Sequence, residues 1–108
     1  MKRVVLESPY AGDVEKNVRF ARACMADCLK RGEAPYASHL LYTQEGVLND
    51  DIPEERNLGI LAGFAWNAVA EMTVVYTNLG ISKGMGYGIK NAKESGRKIE
   101  YRELENWE

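Results

Sequence analysis

The chain has 108 residues, 45% of them apolar and 28% charged, with a formal net charge of -2. That size predicts one domain over 1–108 with a single modest core. The charge balance excludes a broad basic face for nucleic acid, so any nucleotide contact has to be local.

Met1-Lys2-Arg3 opens like a secretory signal, but Glu7 ends the apolar run after Val4-Val5-Leu6, so no signal peptide is expected. Arg3 to Glu7 reads as a buried strand. It stops at Ser8-Pro9-Tyr10-Ala11-Gly12, a turn rich in chain breakers. Asp13 suits the N-cap of a helix reaching about Arg31, with Glu15 in its first turn and Gly32 as its stop. Val14, Val18, Ala21, Met25 and Cys28 recur at helical spacing and form its expected buried stripe. Cys24 and Cys28 read as core thiols, because a metal site would want further ligands and His39 is the only histidine.

Ala34-Pro35-Tyr36-Ala37 reads as a second short strand. A long polar connection through Asn49-Asp50-Asp51-Ile52 then ends at a helix start, with Pro53 in the first turn and Glu54 and Glu55 at the positive end. This helix is expected to reach about Ala70, with Leu58, Leu61, Ala65 and Val69 on one face. Ile60, Phe64 and Trp66 make it apolar on several sides, and such a helix is buried on several sides. A homodimer or higher homo-oligomer is therefore expected. The uncharged run Leu58 to Ala70 is short of the ~20 residues that cross a bilayer. Met72 to Thr77 reads as a third strand, Met85 to about Ser95 as a third helix stopped by Gly96, and Lys98 to Arg102 as a final strand.

Strands alternating with helices predict an α/β fold, a small Rossmann-like three-layer sandwich with a mostly parallel sheet of four or five strands. Ligands of such sheets sit at the carboxyl ends of the strands. The segments Ser8–Gly12, Ser38–Tyr42 and Ser82–Gly88 should therefore line one edge. The expectation is a cytoplasmic, reduced protein without metal, cofactor or membrane segment.

The stretch from Leu79 to Gly88 carries the chemistry. A glycine-rich passage from strand to helix aims backbone N–H groups and the positive end of the helix dipole at one point, which suits a phosphate. The alternative is a plain connection whose glycines only make the turn. Lys83 reads either as a point charge for that phosphate or as a solvent-facing lysine. His39, at the end of the second strand, would donate to a phosphate below about pH 6.5. Ser38 and His39 do not read as a catalytic pair, because adjacent side chains seldom face one another. Tyr36, Tyr42, Tyr76 and Tyr87 lie near strand ends and divide between core packing and stacking on a base.

The order of a strand, the Pro9-Tyr10-Ala11-Gly12 turn, a helix bearing Asn17, a Pro35/His39 segment, a long helix, a strand and Ser82-Lys83-Gly84-Met85 resembles the nucleoside 2-deoxyribosyltransferase-like superfamily. That group includes 2′-deoxynucleoside 5′-monophosphate N-hydrolases and many small phage or bacterial proteins of unassigned function. The resemblance runs from Val4 to Arg102. In the N-hydrolases the matching turn reads Ser-x-Gly-x-Gly-Tyr-Glu, and its serine and glycine hold the 5′-phosphate. The resemblance therefore implies a phosphate-bearing nucleotide held by Ser82 and Gly84. Tyr10, Gly12 and Asn17 match more weakly, and Ser8, His39, Lys83, Met85 and Tyr87 complete the expected ligand contacts.

Three departures bear on activity. The glutamate that closes the family's turn and acts at the sugar C1′ is here Gly88, a second family carboxylate falls near Gly63, and a first-strand tyrosine falls near Val5. Breaking an N-glycosidic bond develops positive charge on the sugar, so a carboxylate is wanted beside it. The expected function is a protein that holds a nucleotide, for instance a phage protein sequestering a host immune signal. The alternative is an N-glycosidase or deoxyribosyltransferase with a relocated acid from the long connection, Glu55 first, then Asp50 or Asp51.

Overall fold

The computed structural model describes residues 1–108. Four short strands, β1 (Lys2–Glu7), β2 (Glu33–Tyr36), β3 (Met72–Tyr76) and β4 (Lys98–Arg102), form one sheet in the order β2-β1-β3-β4. Every pair is parallel. Helices cover both faces: α1 (Val14–Lys30) on one, α3 (Pro53–Asn67) and α4 (Lys83–Glu94) on the other, with a short α2 (Ser38–Leu41) packed on α3. This is the expected Rossmann-like architecture. No helix is long and apolar enough to cross a membrane.

Side chains alternate across a strand, so each strand feeds both layers. Val4, Leu6, Met72, Val74 and Tyr76 meet Phe20, Cys24 and Cys28 of α1 in the larger core. Val75 turns the other way, onto Met85 and Ile89 of α4. The α1 stripe is rotated from the expected one: Val14 lies exposed at the helix start, while Phe20 and Cys24 fill the core. Phe20 prevails because its ring supplies the bulk facing β1 and β3, and Trp107 closes over it edge-on at 4.9 Å.

One charged cluster lies inside this layer. Arg102 reaches from edge strand β4 to Glu33 of the opposite edge strand β2 with two hydrogen bonds, at 2.8 and 2.6 Å. The same guanidinium meets the Tyr76 hydroxyl and the Glu100 carboxylate. These bonds hold the Glu33 carboxyl below its ordinary pKa.

Three boundaries differ from expectation. Ser38–Leu41 is helical, α3 stops at Asn67, and α4 starts at Lys83 with Ser82 as N-cap. The larger surprise is the orientation of α3. Its apolar face points outward, with Leu58 58% and Leu61 55% exposed, while Gly63 and Asn67 face inward. A Cβ on Gly63 would sit 2.9 Å from the Ser38 hydroxyl oxygen. The small inward residues let α2 come close to the helix backbone, and that approach decides which face is buried.

Candidate functional site

From β1 the chain crosses to β2 on one side and later enters β3 on the other. The carboxyl ends of β1 and β3 thus flank the point where the winding reverses, the usual ligand crevice of open α/β sheets. β1 ends there in Glu7, followed by Ser8; β3 is followed by Ser82 and α4.

Glu7 has the same parity as Val5, so its side chain goes into the α3/α4 layer. There it lies directly on Gly88. A methyl group at Gly88 would collide with the Glu7 carboxyl carbon and with both oxygens, the farther of them at 2.8 Å. Burial pushes this carboxyl up to about 8 from its ordinary 4.5, and the charge of Arg97 offsets only part of the rise. Arg97 is fixed behind it by the Thr73 hydroxyl (2.9 Å), the Asn67 carbonyl (3.1 Å) and the Asn91 side chain (2.8 Å). A carboxyl group therefore occupies the space over Gly88, donated by the first strand and not by the helix.

On the other side of β1, the Ser8 hydroxyl pairs with His39 Nε2 at 2.7 Å. Burial lowers the imidazole to about 4, so it is neutral at pH 7 and does not gain the proton expected near pH 6.5. The histidine partner is thus Ser8, three elements of chain away, and not its neighbour Ser38.

Asn17 turns inward and donates to the carbonyls of Tyr10 and Ala11, at 2.9 and 3.1 Å. It shapes the loop after β1. Tyr10 and Gly12 of that loop line a cleft of about 600 Å³ whose far wall is the long connection, including Asp50, Asp51 and Glu55. The Glu55 carboxylate accepts from the Asn49 N–H at 3.0 Å and so ties down that wall. With Glu45 also present and no lysine or arginine in the lining, the cleft repels a phosphate and suits a neutral sugar or base.

The glycine-rich segment is a helix start, not an open loop. Ser82 accepts from the Met85 N–H at 3.3 Å, and the Gly86 N–H bonds the Ser82 carbonyl at 2.9 Å. The N–H groups of Lys83 and Gly84 keep no partner within the helix. A Cβ on Gly84 or Gly86 would meet nothing within 4 Å. Met85 is buried on Val75 and Ile89, whereas Lys83 and Tyr87 are exposed.

In the sequence Glu7 reads only as the end of an apolar run. Two features of the sequence mark it: a carboxylate closing a strand in the parity of Val5, and a glycine, Gly88, where the resembled family has a glutamate.

Residues 2–102 match a family described as a domain of unknown function, DUF7768. The chain belongs to this family. No curated protein matches it. Among solved structures, a 2-deoxyribosyltransferase from the psychrotolerant bacterium Bacillus psychrosaccharolyticus is similar, with a TM-score of 0.72 and 10% identity over 97% of this chain and 87% of that one. This DUF7768 member thus has a distant deoxyribosyltransferase-like fold.

Proposed function

We propose that the chain binds a nucleoside or nucleotide at the carboxyl edge of its sheet, with the Glu7 carboxyl facing the sugar. The observation that carries the reading is Glu7 lying on Gly88 at the winding reversal. In support, the family that the sequence resembles has its sugar-facing glutamate at the position of Gly88, and here the Glu7 carboxyl lies over that glycine. A phosphate fits the free N–H groups of Lys83 and Gly84 at the start of α4, the sugar lies between them and Glu7, and only the far end of the ligand, the base, reaches toward the acidic cleft beside Tyr10 and Gly12, which Glu7 does not line.

A second reading, cleavage of the N-glycosidic bond, is favoured by the same residue. A carboxyl raised to about 8 is mostly protonated at pH 7 and suits a general acid for the departing base, as in other sites with an enclosed carboxyl. Glu7 then replaces Glu55 as the relocated acid.

Incubating deoxynucleoside monophosphates, deoxynucleosides and cyclic or ADP-ribose-type signalling nucleotides with excess protein separates the two. Holding, which includes sequestration of a signal, removes a nucleotide from the free pool and returns it intact after heat denaturation. Free base signifies cleavage. A panel in which nothing is depleted or cut overturns both.

A further inference from the structure

Leu58, Leu61, Ala62 and Ala65 follow the i, i+3, i+4, i+7 spacing by which a helix faces a core, and Val69 lies in the turn just after α3. In this chain that face looks into water. Leu58, Leu61 and Val69 each leave half or more of their surface open, and Trp66 is 59% exposed beside them. Contiguous half-open apolar side chains of this kind mark interaction surfaces.

We propose that a second copy of this chain covers the patch, with the two α3 helices antiparallel about a twofold axis near Ala62 and Ala65. The two alanines let the helix backbones approach at the centre, and the larger side chains stand at the ends. Antiparallel pairing sets Leu58 of each copy against Val69 of the other. Beside Val69 lies a groove of about 200 Å³ lined by Val5, Ala34, Tyr36, Trp66 and Ala70, which receives that leucine. A twofold interface uses the same patch twice and needs exactly this kind of self-complementarity.

Charge points to the same arrangement. Glu54, one turn before Leu58, is exposed and makes no ion pair within the chain. At the far end of the patch Arg3 borders the groove, and its only ion pair, with Glu71, is long at 4.0 Å and open to water. The antiparallel pair brings Glu54 of one copy to Arg3 of the other.

Sedimentation velocity at micromolar concentration tests this on the full chain. The expected species has twice the 12.1 kDa chain mass. Leu61→Glu should weaken dimerisation at least tenfold while leaving the far-UV circular dichroism unchanged, since Leu61 contributes little to the chain's own core. Glu54→Arg and Arg3→Glu should each weaken the dimer, and together restore it. A monomeric wild type, or a Leu61→Glu dimer as tight as wild type, overturns the proposal. A charge-reversed pair that fails to restore association overturns the antiparallel arrangement.

Discussion

The two faces of the sheet are built on opposite principles. Under α1, large side chains interlock, and the one charged cluster is fully paired: Arg102 with Glu33 and Glu100. Under α3 and α4, glycines leave gaps that polar groups fill. Glu7 lies on Gly88, Ser38 on Gly63, and the Asn67 Oδ1 is buried without a partner. A face whose polar groups are all matched stabilises the fold. A face with an enclosed carboxyl at the sheet's winding reversal carries a cost in stability, and such costs concentrate where proteins bind and react.

The sharpest way to test this contrast is to break the paired cluster. Arg102→Ala leaves the Glu33 charge buried and alone, and should destabilise the fold by about 3–5 kcal/mol in urea unfolding. Replacing both Arg102 and Glu33 by leucine should recover most of that loss. A cost below ~1 kcal/mol for Arg102→Ala would make the cluster a surface feature and remove the contrast.

The opposite face should respond through contact rather than charge pairing. Gly88→Ala drives a methyl group into the Glu7 carboxyl and should cost about 1–3 kcal/mol. In a Glu7→Ala background the collision partner is gone, so the same substitution should cost little. Additive effects in this double-mutant cycle would mean that the two residues do not touch.

The smallest effect is the pH dependence. The folded chain keeps a proton on Glu7 up to about pH 8, whereas the unfolded chain releases it near the ordinary 4.5. Stability from this group is complete below about 4.5 and falls as pH rises to about 8. His39 works in reverse: the unfolded chain takes up a proton near 6.5, the folded one only near 4, so stability falls as pH drops through that range. The two slopes offset each other between about 4.5 and 6.5. Above 6.5 the Glu7 slope stands alone, at most about 1.4 kcal/mol per pH unit. Urea midpoints should fall from pH 6.5 to 8 in the wild type and stay level in Glu7→Gln. An unchanged slope in that variant would assign the titration to another group.

The sequence carried the strand–helix order well, because β-branched runs, Asp13 and Gly96 are local signals. The expected loops after β1 and β3 also lie where parallel winding puts them. Contacts between distant residues were not legible. Nothing local tells that Gly63 faces Ser38, and this is what turns the apolar side of α3 outward. Likewise, Ser82–Gly88 reads as a loop by its glycines, yet Ser82 caps a helix that absorbs three of them. Glu7 was the most instructive case. Its meaning depends on Gly88, far along the chain, and a missing carboxylate on one element could be read as filled only once the other element was in place.

The central claim is that Glu7, and not Glu55, presents the carboxyl to the ligand. Titration calorimetry tests it with the nucleotide or nucleoside that the depletion panel selects, on wild type, Glu7→Gln and Glu55→Gln. Glu7 is mostly protonated at pH 7, and a hydrogen bond between neutral groups contributes about 0.5–1.5 kcal/mol. Glu7→Gln should therefore weaken binding by roughly two- to tenfold, with Glu55→Gln close to wild type. Equal affinity for wild type and Glu7→Gln, with binding lost in Glu55→Gln, would contradict the account.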